Sequence, residues 1–149
     1  MKKLGLLIIL LLVVLLTSCS SQNRDAYEKN LAQWKSKGVQ HYRFNLKIGC
    51  MCPWSGMMPV TVEVQNGEML TMVASNGGDI TPFQDTFRPR GTVEGLFDTV
   101  YAAMSRGAYS LTVQYDGIYG FPASIVVNPS KAIMDDETGY YVTNFEVLP

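Results

Sequence analysis

The feature that most constrains the fold is a hairpin signal in the middle of the chain. Valines at positions 60, 62 and 64 alternate with polar residues, and Asn66-Gly67 follows them. Alternation is typical of a strand with one buried face, and Asn-Gly is the strongest short signal for a two-residue hairpin turn. The segment from Met69 to Ala74 is the predicted partner strand. Strands linked in this way form an antiparallel sheet, which can bury one face and expose the other.

The same alternation recurs along the chain and predicts six strands, at 42–48, 60–65, 69–74, 109–115, 123–128 and 140–148. Apolar residues at helical spacing predict one helix that is capped by Asn23 or Asp25 and ends at Gly38. A second helix is capped by Thr92 and ends at Gly107. The sequence therefore predicts an α+β domain in which two helices pack on an antiparallel sheet of about six strands, in the order αβββαβββ.

One stretch, Ser75 to Arg90, has no apolar period and is rich in Gly, Pro, Asn and Asp. This composition predicts a long loop. Because loops of this length are often functional, the segment is a candidate contact region for a ligand or partner.

The N-terminus predicts export of the protein. Lys2 and Lys3 precede an apolar run, Leu4 to Leu16, that is shorter than the ~20 residues a spanning helix needs. The pattern predicts a signal peptide over residues 1–18. Residues 16–19, Leu-Thr-Ser-Cys, resemble the lipobox of bacterial lipoproteins. The resemblance implies cleavage before Cys19, a diacylglyceryl thioether on Cys19 and fatty acyl groups such as palmitate. Residues 19–23 are then a lipidated tether, and 24–149 a single domain.

The resemblance also implies a location in the bacterial cell envelope, with the membrane as a partner through the lipid anchor. Ser20 follows the anchor cysteine, and in lipoprotein sorting of enteric bacteria this favours the outer membrane over the inner one. Without Lys2 and Lys3, 10 of the 12 basic residues remain against 13 acidic ones. No basic cluster occurs, so nucleic-acid binding has no electrostatic basis in the sequence.

Cys50 and Cys52 lie one residue apart and admit several chemistries. In an extended strand, residues i and i+2 are roughly 6.5 Å apart. A disulfide requires Cβ atoms ~3.5–4.5 Å apart, so the pair closes only in a turn. Gly49 and Pro53 favour such a turn, and an oxidising compartment favours the bond. Thiol redox chemistry and Cu(I) binding stay open as alternatives, since Met51, Met57 and Met58 supply thioethers nearby.

Catalytic motifs are absent from the sequence. It contains no G-x-S-x-G, H-E-x-x-H, P-loop or dinucleotide fingerprint, and its single histidine, His41, lies on the polar side of a predicted strand. No catalytic residue and no metal site are predicted. The acidic run Asp135-Asp136-Glu137 lacks the alternating ligand spacing of a Ca²⁺-binding EF-hand loop and is interpreted as a solvated turn. The sequence therefore favours a non-enzymatic protein without a cofactor other than its covalent lipid. An enzymatic function stays open as a third alternative, because the absence of a motif is weak evidence.

Several short motifs resemble a family of bacterial secreted proteins and lipoproteins of unknown function. They are Tyr115-Asp116, Tyr119 to Pro122, Ile125, Asp135 to Glu137, Thr92 to Phe97 and the Cys50-x-Cys52 pair. The match extends from Trp34 to Phe145, and Asn128 replaces an aspartate of the family pattern. The resemblance implies the fold and the envelope location, and it implies no activity.

Aromatic and acidic residues near two turns form the candidate surface for a ligand or partner. The residues are Tyr115, Asp116, Tyr119, Phe121, Asp135, Asp136 and Glu137, and with Tyr140 and Tyr141 they are expected to meet at one end of the sheet. Packing of the aromatics in the core is the alternative, and in small sheet proteins it is the more common role of such residues. The sequence favours a lipid-anchored envelope protein that binds an envelope protein or a small ligand. The alternative function is thiol redox or Cu(I) handling at Cys50 and Cys52.

Overall fold

The predicted hairpin is present in the computed structural model, which describes residues 18–133 and 135–149. Asn66 and Gly67 have φ angles of 53° and 79°, as both central residues of a type I′ turn require. The flanking residues Gln65 and Glu68 are paired directly across the turn. The Asn-Gly signal is thus confirmed at its predicted position.

Six strands form one antiparallel sheet in the order β3-β2-β1-β6-β5-β4. The helices and strands are α1 (Ser18–Lys37), β1 (His41–Gly49), β2 (Val60–Gln65), β3 (Glu68–Ala74), α2 (Gln84–Phe87), α3 (Val93–Ser105), β4 (Ser110–Tyr115), β5 (Pro122–Asn128) and β6 (Thr138–Val147). The α+β class and the antiparallel sheet of six strands are confirmed. The two three-stranded halves meet where β1 pairs with β6, so β1 is central whereas β4 is at an edge.

The helices cover one face of the sheet. Along β1 the residues that face the helices are buried, and their neighbours are exposed or half-buried. Two ion pairs lie on the opposite face, His41–Glu63 at 3.0 Å and Arg43–Glu146 at 2.8 Å. The core is built from the largest fully buried side chains, which are Tyr42, Phe44, Leu46, Val60, Val62, Val64, Phe87, Val93, Leu96, Phe97, Val100 and Ile125.

The helix ends follow the predicted signals with one exception. Thr92 caps α3, because its hydroxyl accepts a 3.0 Å hydrogen bond from the amide of Gly95. Gly107 follows the end of α3, with a φ of 67°. The start of α1 differs from the prediction: the helix begins at Ser18 and not near Asn23 or Asp25. The segment between Ser18 and Asp25 contains no Gly or Pro, so nothing in its backbone preferences ends the helix there.

The prediction of a loop without secondary structure over Ser75–Arg90 is wrong. The segment contains the short helix α2, preceded by a 3-10 turn at Thr81–Phe83 and followed by another at Arg88–Arg90. These three helical stretches bury Ile80 and Phe87 and bring Phe83 against the core. Apolar residues at spacing i, i+3 and i+7 indicated this turn structure in the sequence. The order αβββαβββ is therefore correct only in part, because a third helix precedes α3.

The predicted signal peptide and acylation site fall almost wholly outside the described residues. Residues 1–17 are not described, and of Cys19 only the backbone is, as part of α1. Among the helices that the structure describes, none combines the length and the apolar character needed to cross a membrane.

Candidate ligand-binding cleft

The turn between β4 and β5, which carries three of the predicted surface residues and directly follows a fourth, Tyr115, packs against α1. Gln33 donates hydrogen bonds of 3.1 and 3.2 Å to the carbonyls of Gly117 and Ile118. Phe121 is buried, with its ring 6.4 Å from that of Trp34, so its prediction as a surface residue is wrong. Tyr119 is half-buried against Phe145. Aromatics on this side of the sheet fill the core, which was the alternative interpretation.

The Tyr-Asp and Gly-Phe-Pro motifs of this turn have a structural role. The Asp116 carboxylate accepts hydrogen bonds from the amides of Ile118 and Tyr119, at 2.9 and 2.6 Å. Gly120 has a φ of 84°, and a Cβ there would lie 2.7 Å from the carbonyl oxygen of Asn30 in α1. Burial of the Tyr115 hydroxyl raises its pKa to about 12, and electrostatic repulsion from Tyr27 makes a smaller contribution in the same direction. The motif therefore shapes the turn on which α1 packs.

The acidic run lies at the other end of β5. Phe121 precedes the first residue of β5, whereas Asp135 to Glu137 lie beyond its last residue and directly precede β6. At ~3.3 Å per residue, a seven-residue strand separates the two sets by roughly 20 Å. The prediction that they meet at one end of the sheet is therefore wrong, because an antiparallel strand places its two connections at opposite ends. In the described part of the chain, no three or more His, Cys, Asp or Glu side chains are grouped to hold a metal ion.

The Thr92–Phe97 motif joins three elements of the core. The carboxylate of Glu94 accepts hydrogen bonds from Trp34 Nε1 of α1 at 2.8 Å and from Tyr42 of β1 at 3.4 Å. The Tyr42 hydroxyl in turn accepts a 3.0 Å bond from the amide of Val93. Gly95 allows close packing, since a Cβ there would collide with the carbonyl oxygen of Pro89.

The cysteine turn, Cys50 to Trp54, directly follows β1. The strand ends at Gly49, the Cα atoms of Cys50 and Cys52 are 5.3 Å apart, and the two sulfur atoms are at disulfide distance. The prediction that the strand stops and the pair closes is confirmed in this geometry. Trp54 packs on Phe83 and Phe87, with ring centroids 5.6 and 5.8 Å away. The cysteine turn is thus packed against the helical segment around α2.

An open cleft of about 490 Å³ lies between α3 and the sheet. It extends from the turn before α3, along the side of that helix, to the adjoining ends of β5 and β6. Its lining residues are Pro89, Arg90, Gly95, Asp98, Thr99, Ala102, Ala103, Arg106, Ala108, Val127, Pro129, Thr138 and Tyr140. The cleft forms because α1 covers the opposite end of this sheet face and small residues, Ala102 and Ala103, face the sheet from α3.

A smaller pocket of about 170 Å³ adjoins the cleft at the cysteine turn. Arg90, Thr138 and Tyr140 line both spaces. The remaining walls of the smaller pocket are Ile48, Cys50, Cys52, Trp54 and Thr86. The pairing of Gly49 with Gly139 explains this arrangement, because it places the residues that follow β1 beside the first residues of β6.

Arg90 is the central charge of the combined site. Its guanidinium lies 5.2 Å from the centre of the Tyr140 ring, and Nη1 donates a 3.2 Å hydrogen bond to the carbonyl of Thr86. Neither ion pair in the described residues involves Arg90. Arg90 Nε and Trp54 Nε1 are buried, and neither has a hydrogen-bond acceptor in the part of the chain that the structure describes. Buried N–H groups without an acceptor are rare and costly, so each of these two requires an explanation.

The sequence did not identify the central residues of this cleft. Arg90 was the last residue of the predicted loop, and Trp54 followed the cysteine pair without an assigned role. Asp98 and Arg106 lay within the second predicted helix and had no predicted role. The available signals were an arginine directly after Pro89 and a tryptophan two residues after Cys52. Only the pairing of β1 with β6 brings the two regions together.

Comparison with known proteins gives one match. Residues 26–147 match a family described as a family of unknown function (DUF6174). No curated protein and no solved structure matches the chain.

Proposed function

Because the chain belongs to this family of unknown function, whose description supplies no activity, we propose from the geometry that it is a non-enzymatic binding protein of the bacterial cell envelope. The ligand or partner group enters the cleft between α3 and the ends of β5 and β6. The single observation that carries the proposal is the pair of unpartnered buried donors, Arg90 Nε and Trp54 Nε1, on side chains that line one pocket.

The size and lining of the cleft support the proposal. A volume of about 490 Å³ lies within the ~300–1,000 Å³ range of small-molecule sites. Its walls combine alanine, valine and proline side chains with a few charged and hydroxyl groups, which is the usual composition of such sites. The cysteine turn and the segment that ends at Arg90 both contribute walls to the site.

The membrane anchor is a separate part of the proposal and rests on the sequence. The charged head, the apolar run and the lipobox-like Leu16 to Cys19 support acylation at Cys19, and Ser20 supports an outer-membrane location on the periplasmic face in a Gram-negative host. Detergent phase partition of cell lysates tests the presence of the lipid anchor. We expect the wild type to enter the detergent phase and to incorporate labelled palmitate, and Cys19→Ala to incorporate none; equal incorporation contradicts acylation at Cys19.

Site-specific photocrosslinking in intact cells tests binding in the cleft. A photoreactive phenylalanine analogue replaces Ala102, on the cleft wall, and in a matched control replaces Thr112, which is exposed on β4. We expect an adduct of defined mass from position 102 and none of that mass from position 112. Equal adducts from both positions, or none from either, contradict a ligand in the cleft.

A thiol-redox or Cu(I)-handling function at Cys50 and Cys52 is the second candidate. The observation in its favour is that both cysteines line the 170 Å³ pocket beside Trp54 and Tyr140, where a bound molecule would meet the sulfur atoms. Anaerobic titration of the reduced chain with Cu(I), with Cys50→Ser/Cys52→Ser as the control, tests it. Tight binding of one Cu(I) per chain that the double variant loses favours Cu(I) handling, and equal binding by both proteins rules out Cu(I) handling by this pair.

A further inference from the structure

The smaller pocket offers hydrogen-bond donors and positive charge. Trp54 Nε1 can only donate, and a guanidinium has five N–H donors and no acceptor. One of these donors on Arg90 is committed to the carbonyl of Thr86. The chemistry therefore favours a ligand group that only accepts hydrogen bonds.

The charge around the cleft favours an anion. Arg90 and Arg106 line the site with Asp98 as the one carboxylate among the lining residues, which leaves one positive charge in excess. No carboxylate of the described residues lies within 4.0 Å of either arginine's nitrogen atoms. A partly buried guanidinium that has no carboxylate partner gains most from an anion that accepts two hydrogen bonds, because such contacts are about twice as strong as neutral ones.

The larger cleft adds room for an apolar group beside this position. Ala102, Ala103, Val127 and Pro129 lie along the wall that leads away from Arg90 and Tyr140. A ligand with its anionic group at Arg90 would place an attached apolar group against these residues.

We propose that the cleft binds an organic anion, a carboxylate or phosphate monoester attached to an apolar group, whose oxygens accept hydrogen bonds from Arg90 and Trp54. This inference rests on the proposed binding function and names the class of ligand. Both donor atoms are shielded from solvent in this structure, so binding in this mode requires the Arg90 side chain to move within the cleft. Tyr140, on which the guanidinium lies, limits the directions of that rotation.

Nuclear magnetic resonance of the full chain in phospholipid nanodiscs, with ¹⁵N only in arginine and tryptophan, observes the two donors directly. The probes are 3-phenylpropionate, 2-phenylethyl phosphate and the neutral control 3-phenylpropionamide, with acetate and inorganic phosphate for the anionic group alone. We expect saturable downfield shifts of the Arg90 Nε–H and Trp54 Nε1–H signals with one or both aromatic anions. The Trp34 Nε1–H signal, whose acceptor is Glu94, is the internal reference and stays in place.

Two variants of Arg90 separate charge from geometry. Arg90→Gln is expected to weaken binding of the anion at least about tenfold, and Arg90→Lys, which keeps the charge and loses the planar fork, by an intermediate factor. An unchanged Trp34 signal verifies that each variant is folded. Arg106→Gln, at the other end of the cleft, is the control and is expected to weaken binding less than Arg90→Gln.

Two results overturn the inference. The first is binding of the neutral amide as tightly as of the anions, or no loss of affinity in Arg90→Gln; the cleft would then bind a ligand of another class, and the crosslinking result at position 102 would stand. The second is the absence of any shift with all five probes. If crosslinking at position 102 then still gives an adduct, the binding function stands and the organic anion is rejected. If it gives no adduct, both proposals are rejected.

Discussion

Trp34 and Glu94 are joined by a 2.8 Å hydrogen bond from the indole Nε1 to the carboxylate, across the contact between α1 and the first turn of α3. The same carboxylate also accepts a hydrogen bond from the hydroxyl of Tyr42 in β1. One exposed side chain thus satisfies the polar atoms of two buried aromatic residues, one in α1 and one in β1. Together the two hydrogen bonds connect α1 and α3 to β1, near the centre of the sheet.

Replacement of Glu94 by alanine is expected to lower the free energy of unfolding by about 1–3 kcal/mol, since it leaves the Trp34 N–H and the Tyr42 hydroxyl without this acceptor. Glu94→Gln keeps an acceptor and should cost less. Urea denaturation measures both effects, and Glu68→Ala, at an exposed strand position, is the control. Equal stability of Glu94→Ala and Glu68→Ala would contradict a structural role of this carboxylate.

Gly120→Ala is expected to destabilise the domain by about 2–4 kcal/mol. Its positive φ is unfavourable for residues with a Cβ, and the added methyl would press on the Asn30 carbonyl of α1. Gly117→Ala in the same turn is the matched control, because nothing lies within 4 Å of a Cβ there. Its effect should stay within about 0.5 kcal/mol. Thermal melts that give the two variants the same Tm would refute the close approach of α1 to Gly120.

Phe87→Ala tests the order of the Ser75–Arg90 segment. Phe87 is fully buried, and truncation of such a phenylalanine typically costs about 3–5 kcal/mol. Phe83→Ala, in the same segment but only partly buried, should cost less. Limited proteolysis provides a second readout, since loss of the Phe87 anchor should speed cleavage between Ser75 and Arg90. A Phe87→Ala chain as stable and as resistant as the wild type would restore the description of this segment as an unpacked loop.

The His41–Glu63 pair predicts a pH dependence of stability. Hydrogen bonds from the imidazole to the Glu63 carboxylate and to the backbone oxygen of Pro149 raise the pKa of His41 above 6.5. Because the folded-state pKa exceeds the unfolded one, the stabilisation is fully present below pH 6.5 and is lost as the pH rises through the raised pKa. His41 is the only histidine, so its ring signals in a pH titration report the value directly. We expect Glu63→Gln to move the pKa downwards, and an unchanged titration would argue against the pair in solution.

The Cys50–Cys52 pair should contribute little to global stability. A ring that spans three residues removes less than about 2 kcal/mol of chain entropy in the loop-closure model. We expect the free energy of unfolding of Cys50→Ser/Cys52→Ser to lie within about 2 kcal/mol of the wild-type value. Alkylation followed by mass measurement is expected to find both thiols blocked until reductant is added. A much larger loss of stability would mean that the turn holds the packing of Trp54 on Phe83 and Phe87.

Much of the fold was predictable from the sequence because its signals are local. The alternation that placed β1 and β2, the Asn-Gly turn and the Thr92 cap each depend on residues only a few positions apart. The helical turns around α2 were indicated by the spacing of Ile80, Phe83 and Phe87, but prolines and glycines in the segment obscured it. The candidate site was not predictable in the same way, and aromatic residues such as Phe121 were assigned to a surface although they fill the core.

The sequence by itself determined the six strands, the two longer helices and the antiparallel class. It also predicts the signal and the acylation site at Cys19. The tertiary structure decided which of the loops between strands lie at the same end of the sheet. The pairing of β1 with β6 brings the cysteine turn beside Arg90 and Tyr140, and the antiparallel course of β5 separates the Asp116 turn from the acidic run. Strand order depends on how all apolar faces are buried together, so no local pattern encodes it. The cleft exists only as a product of that order.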